Sequence, residues 1–292
     1  MKRNLVGQVI KGVAGCFTVR TEEGDIPCFA RGKLRDKGGI YIGDYVEITA
    51  DTEGVIERIQ PRKSALARPY VSNMDVLVIV VAPLPKPDML LVDKLLIGAL
   101  EQDIETILCI NKADMEQADA VIAEIGRDYA SLAEIRVVST RTGQGVDELL
   151  AQLQGKFVCL AGQSAVGKSS LINAIFGEER CRTGDLSAKG GRGKNTTRHV
   201  EILHLPDGTR IADTCGFNML EMPLFDPTHL RGYYTDFDEY AEQCRFRGCC
   251  HDKEQDCGVK RAVQQGQISQ ERYGRYLRLY QDIQKRWNKR YE

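Results

Sequence analysis

Over residues 1–65 apolar and polar positions alternate in short runs separated by turn chemistry. Segments 5–11, 16–20, 25–29, 44–49 and 55–59 read as strands. Their joints are Gly12 and Gly15, Glu23-Gly24, a Gly/Lys/Arg-rich stretch at 31–43, and Glu53-Gly54. Five strands in so little chain predict a small closed barrel. The oligonucleotide-binding (OB) fold is the common five-stranded solution, and a generic small β-barrel fits the spacing nearly as well.

From about residue 72 the period changes. Apolar runs at 76–82, 106–110, 135–139, 157–161, 200–205 and 210–212 alternate with helix-period segments at 88–101, 115–131, 146–153 and 168–176. This predicts a mostly parallel α/β sheet, with Pro206-Asp207-Gly208 turning a hairpin. Such sheets bind ligands at the carboxyl ends of their strands, so the loops after the strands are the places to look. After residue 222 the apolar strands stop, four cysteines crowd into 244–257, and a basic, aromatic, helix-period run occupies 267–292. The expected architecture is multidomain α/β: a barrel (1–65), a nucleotide-binding α/β domain (66–222) and a helical metal-binding domain (223–292).

Composition narrows the class. With 42% apolar and 28% charged residues in a chain of 292, a packed core is expected and disorder throughout is excluded. No apolar run approaches the length of a membrane span, since 76–82 stops at Pro83; Gln8 and Lys11 interrupt the opening residues before a secretory core forms. A cytoplasmic protein with no membrane partner is expected. The net charge of −1 conceals an asymmetry: residues 1–68 carry +3, 69–243 carry −10 and 244–292 carry +6. Basic ends around an acidic middle suit a chain whose ends touch a polyanion, although ordinary surface variation also produces such a distribution.

Gly162-Gln163-Ser164-Ala165-Val166-Gly167-Lys168-Ser169 follows the run 157–161 and, with Ser170, opens the helical segment 168–176. This is G-x-x-x-x-G-K-[ST] in its strand–loop–helix context. Glycines let successive backbone N–H groups face phosphates, Lys168 reaches the terminal phosphates, and the Ser169 hydroxyl ligates Mg²⁺. Asn111-Lys112-Ala113-Asp114, directly after the run 106–110, selects the base. A carboxylate at Asp114 accepts from guanine N1–H and the exocyclic amine, a donor pair adenine lacks; Asn111 can bond N7 or O6, and the Lys112 stem can cover the base. Ser139-Thr-Arg-Thr-Gly-Gln-Gly145 is a weaker pattern that can offer backbone N–H groups to guanine O6. Asp213-Thr-Cys-Gly216 supplies an acidic residue for the Mg²⁺ shell and the Gly216 N–H for a γ-phosphate. In the Gly/Lys-rich run before it, Thr197, or else Thr196, can complete the Mg²⁺ sphere. The set points to GTP, GDP and Mg²⁺.

Cys244-x₄-Cys249-x-His251-x₅-Cys257 offers three thiolates and one imidazole, the ligand set of a closed structural Zn²⁺ site. Cys250 could exchange roles with Cys249. Around this cluster lie Arg245, Arg247, Lys253, Lys260 and Arg261, followed by Arg272, Tyr273, Arg275, Tyr276, Arg278 and Tyr280. Guanidiniums interleaved with aromatics suit RNA, and an amphipathic helix packing its aromatics on the body gives the same pattern.

Most GTPases meet the phosphate loop first and the guanine motif last. Here Asn111…Asp114 precedes Gly162…Ser169, and Asp213-Thr-Cys-Gly216 follows. That permuted order, a barrel before it, a Cys/His cluster after it and the tail Cys257-Gly-Val-Lys…Gln-Ile-Ser…Arg-Tyr…Tyr-Leu resemble the circularly permuted GTPases of the ribosome small subunit-dependent GTPase A family. The resemblance runs over essentially the whole chain. It implies a monomeric, cytoplasmic GTP hydrolase acting late in assembly of the small ribosomal subunit on 16S rRNA, and it favours Cys249 over Cys250 as ligand. Two positions depart from the family pattern. Cys215 stands where the family has Pro, and Asn195 where it has a His that is a candidate for positioning the attacking water. An amide at Asn195 can orient water but cannot act as its base near neutral pH. Phe217 stands where many small GTPases place a water-orienting Gln, so unaided hydrolysis is expected to be slow and a partner to supply the missing function. A GTP-dependent RNA-binding switch with little turnover is the alternative, and a zinc-delivery GTPase a third.

Overall fold

The computed structural model describes residues 3–13, 15–35, 39–67, 70–177, 200–213 and 222–290. The alternating segment forms β1 (Arg3–Val13), β2 (Cys16–Thr21), β3 (Gly24–Ala30), a single helical turn α1 (Gly32–Arg35), β4 (Tyr45–Ala50) and β5 (Gly54–Ile59). Strand β1 pairs antiparallel with both β2 and β4; β3 runs antiparallel to β2 and parallel to β5, and β4–β5 is antiparallel. The ring β1-β2-β3-β5-β4 therefore closes, which leaves a small sheet no open edge. Val9, Val19, Cys28, Val46, Ile48 and Ile56 fill it, one face of a period-two pattern. A ribbon of β6 (Ala65–Ala67) and β7 (Tyr70–Ser72) follows; its arms are too short for alternation to reveal them.

The α/β segment comprises β8 (Val76–Val81), α2 (Met89–Leu100), β9 (Glu105–Ile110), α3 (Ala118–Tyr129), β10 (Glu134–Val137), α4 (Val146–Leu153), β11 (Phe157–Ala161), α5 (Lys168–Phe176), β12 (Val200–His204) and β13 (Arg210–Asp213). Strand order is β10-β9-β8-β11-β13-β12, with β8 parallel to β9 and β11, β11 parallel to β13, and the β12–β13 hairpin antiparallel. Every residue of β8 and β11 is buried, as strands covered on both faces must be, which is why they read as unbroken apolar runs. The edge of this sheet is not free: β12 also pairs with the barrel strand β1 at Lys11↔Glu201 and Gly12↔Val200, giving one eleven-stranded sheet.

Packing divides the chain into two units, Met1–Val121 with Ile135–Glu221 and Ile122–Glu134 with Met222–Glu292. The boundaries read from the strand and helix pattern put 122–134 in the middle domain. The second unit groups these residues with 3₁₀ turns (Pro227–Tyr233 and Thr235–Phe237), α6 (Asp238–Ala241), α7 (Gly258–Gln264) and α8 (Gln270–Asn288). Arg275 donates to Asp128 at 2.9 Å, and the Arg272 guanidinium lies 4.8 Å from the Tyr129 ring centroid. Such side-chain partnerships carry no local sequence period.

Of the two readings of the α8 aromatics, packing on the body is the one the fold adopts. Tyr273, Tyr276 and Tyr280 are buried with Leu279 and Ile283 on one helical face, and the Tyr273 and Tyr276 hydroxyls donate to the carbonyls of His251 and Cys250 at 2.6 and 2.7 Å. Arg272 is 2% exposed, makes a two-pronged contact to Asp236 at 3.1 and 3.0 Å and sits 4.1 Å from the Tyr234 ring centroid. Period 3.6 puts these residues inside; Arg278, Lys285 and Lys289 remain exposed.

Candidate nucleotide site and metal centre

The loops after β8, β9, β10 and β11 meet through backbone and side-chain bonds. Asn111 N–H donates to Val81 O at 2.8 Å and Val138 N–H to Ile110 O at 2.8 Å. Gly162 has φ 134°, and a Cβ there would lie 2.2 Å from Val80 O; Gly167 has φ 97°, and a Cβ there would lie 2.3 Å from Asn111 Nδ2. Both glycines are thus demanded by conformation and by close approach, one to the strand behind the loop and one to the guanine motif. Lys168 Nζ donates to Gly162 O and Gln163 O, both at 2.7 Å, holding the cation over the loop. The Gln163 side chain accepts from Asp88 N–H at 3.0 Å, tying the loop to the start of α2.

Asn111 is fully buried. Its Nδ2 donates to Val166 O at 3.0 Å, while Oδ1 accepts from Lys112 N–H at 2.8 Å and Thr140 N–H at 3.2 Å. One amide therefore clamps the phosphate loop, the guanine motif and the loop after β10. Lys112 Nζ bridges Leu84 O and Ala165 O at 2.7 and 2.8 Å, stretching its stem between two loops.

Asp114 is set differently from what motif reading suggests. The Ser139 hydroxyl donates to Oδ1 at 2.5 Å, and the Arg141 guanidinium meets Oδ2 at 2.8 Å. The Ser139 hydroxyl, with lesser help from Arg141 and Lys112, holds the Asp114 carboxyl below the usual carboxylate range, so it is an anion at neutral pH, as an acceptor for guanine must be. The backbone N–H groups of Ser139, Thr140 and Thr142 are engaged within the site, by Gln144 O, Asn111 Oδ1 and Ser139 Oγ. Ser139 therefore acts through its hydroxyl on Asp114, where sequence reasoning saw backbone donors. Arg141 was not anticipated, because only the meeting of two loops brings it to Asp114.

Ser164, Ala165 and Val166 complete the loop, and Ser169 and Ser170 lie in the first turn of α5. Asp213 ends β13, and its side chain lies outside the described residues, as do Asn195, Thr196, Thr197, Cys215, Gly216 and Phe217.

In the second unit the ligand atoms of Cys244, Cys249, His251 and Cys257 lie within 4.8 Å of one another. Cys244 Sγ is 3.8 Å from Cys257 Sγ, and His251 Nδ1 is 3.7 and 3.4 Å from those two sulfurs. Metal–sulfur bonds of ~2.3 Å in a tetrahedron space sulfurs about 3.8 Å apart, so this set could hold one metal ion with no open position. Burial holds His251 down to about 4, leaving a neutral imidazole at pH 7, and pushes the Cys249 thiol up to about 12. Gly258 N–H donates to Cys244 Sγ at 3.2 Å and Lys260 N–H to Cys257 Sγ at 3.5 Å, bonds that favour thiolates. Glu254 accepts from the N–H groups of Cys250 and Asp252, fixing the turn that carries His251 at φ 57°.

The model of the RsgA GTPase family matches residues 59–223, more than half of the chain, and that of the RsgA N-terminal domain matches 6–56. The chain belongs to the RsgA GTPase family. It is 42% identical over 292 residues to a protein named small ribosomal subunit biogenesis GTPase RsgA from Caldanaerobacter subterraneus subsp. tengcongensis, with 98% of each chain covered. A protein of the same name from Alkaliphilus metalliredigens is 40% identical over 291 residues, covering 98% of this chain and 99% of that one. Among solved structures, YjeQ from Thermotoga maritima superposes with a TM-score of 0.74 at 36% identity, covering 96% of this chain and 99% of that one. YloQ, a circularly permuted GTPase, gives 0.69 at 30% identity over 97% and 96%. As an RsgA GTPase the chain hydrolyses GTP, and the family implies GTP, GDP and Mg²⁺. No helix among the described residues is long and apolar enough to cross a membrane.

Proposed function

We propose that this RsgA GTPase acts in late maturation of the small ribosomal subunit, that the subunit stimulates its hydrolysis, and that nucleotide state governs binding to and release from 16S rRNA. The observation that carries this reading is near full-length identity to relatives whose name states a role in small-subunit biogenesis. In this account Asn111, Lys112, Asp114 and Ser139 form the guanine pocket, residues 162–170 cradle the phosphates, and Lys168 meets the terminal ones. Ser169, Thr197 and Asp213 serve Mg²⁺, while Asn195 and Gly216 lie around the γ-phosphate. Cys244, Cys249, His251 and Cys257 hold a structural Zn²⁺, the ion whose preferred ligands and coordination number match that set.

Functionally the chain divides into an RNA-binding barrel (1–65), the GTPase (66–222) and the zinc-binding, basic segment (223–292), working as a cytoplasmic monomer. The continuous pairing β1–β12–β13 supports a link between the barrel and the Asp213 strand. Co-sedimentation of the full chain with purified small subunits tests the proposal. We expect binding with a non-hydrolysable GTP analogue, release with GDP, and an affinity that falls as salt rises. Equal binding to large subunits, or no binding in either nucleotide state, overturns it.

A further inference from the structure

At the metal centre the second unit contains an open cavity of about 570 Å³, part of which the Cys/His residues themselves enclose. Arg231, Gly232, Phe246 and Arg247 are among the residues that line it, together with three of the four Cys/His residues. Phe246 is 50% exposed, which leaves its ring open to a partner, and it follows Arg245 and precedes Arg247 in the chain. The Arg245 guanidinium lies 5.6 Å from its ring centroid. Arg247 is exposed and makes no ion pair among the described residues, while its carbonyl accepts from Arg231 Nη1 at 3.1 Å, which fixes the second guanidinium on the same wall.

Gly232 adds an independent observation. It has no positive φ, and nothing lies within 4 Å of the Cβ it lacks, so neither conformation nor packing calls for glycine in this 3₁₀ turn. Its effect is to keep one wall of the cavity bare. An aromatic face, two guanidiniums and a bare wall together fit a flat ring carrying a phosphate. Asp238 and Glu242, also on the lining, can accept from the amino groups of a base.

We propose that this cavity receives one unstacked nucleotide of single-stranded RNA, its base against Phe246 and its phosphate at Arg231 and Arg247. This rests on the RNA-binding reading above and adds to it a preference for single strands, since in a duplex both faces of each base are already stacked.

The test is fluorescence anisotropy of the metal-loaded full chain with a short, labelled single-stranded oligoribonucleotide and with the same sequence as a duplex. Phe246→Ala should weaken single-strand binding about tenfold and leave duplex binding unchanged, and Phe246→Trp should retain wild-type affinity. Arg247→Ala should weaken binding and reduce its salt dependence by roughly one counterion. Metal content and GTP affinity should stay at wild-type values in all three variants, which separates loss of the cavity from loss of the fold. Unchanged single-strand affinity in Phe246→Ala, an equal loss on duplex, or stronger competition by an acidic peptide than by RNA overturns the proposal. Wild-type binding to small subunits, measured in parallel, keeps the two claims apart. If it persists while Phe246→Ala has no effect, the cavity assignment alone falls; if it is absent, the ribosomal role falls.

Discussion

In the proposed reading Asp114 carries the choice of base, and the residues around it explain how a carboxylate near the surface would keep that role. Ser139 and Arg141 each engage one of its oxygens, and Asn111 fixes the loop from which it projects. Asp114→Asn exchanges an acceptor pair for one acceptor and one donor, a pattern suited to xanthine. We expect GTP affinity to fall about a hundredfold and XTP to bind better than GTP, read by titration calorimetry. A variant that binds GTP like the wild type would exclude Asp114 from base recognition. Because the Ser139 hydroxyl keeps the Asp114 pKa low, Ser139→Ala should move it up toward the ordinary value of about 3.9. If Asp114 reads the base, GTP binding needs the carboxylate, so on acidification it should then be lost at a higher pH than in the wild type. At this scale Asn111, Asp114, Gly162 and Lys168 were legible because their chemistry requires fixed short spacings. Arg141 was not, because its contact joins loops from two strands.

Among the elements, α8 shows what a pattern can and cannot say. Its apolar and aromatic period is plain in the sequence, but whether Tyr273, Tyr276 and Tyr280 face a core or a ligand depends on what packs against them: Tyr276 meets the rings of Tyr234, Phe237 and His251, and Tyr273 and Tyr280 stack on Tyr276. Arg272 and Arg278 look interchangeable in the sequence and are opposites in the fold. Arg272→Met leaves the partner carboxylate of Asp236 without its cation and should destabilise the second unit by about 3 kcal/mol in denaturant unfolding. Arg278→Glu should leave that stability nearly unchanged and weaken salt-sensitive RNA binding. Equal stability losses in the two variants would contradict the burial assigned to Arg272. The barrel was legible from five short strands, whereas the β6–β7 ribbon and the β1–β12 seam are tertiary pairings of segments too short, or too far apart in sequence, to announce themselves.

For the whole molecule, a net charge of −1 separates into basic ends and an acidic middle that holds the nucleotide loops. That distribution suits a GTPase whose terminal segments meet RNA while the centre binds a nucleotide through a few local cations and backbone groups. In the proposed reading the catalytic apparatus is the part least complete in the chain itself: Phe217 would offer the attacking water no hydrogen bond, and Asn195 only an amide. An RsgA GTPase so equipped should hydrolyse slowly alone and depend on its particle for speed. The direct measurement is the steady-state GTP hydrolysis rate of the pure chain, alone and with added small subunits, large subunits or bare rRNA. The account predicts a slow basal rate raised about 10³- to 10⁵-fold by small subunits and little by the other two. A fast basal rate unchanged by small subunits would contradict it.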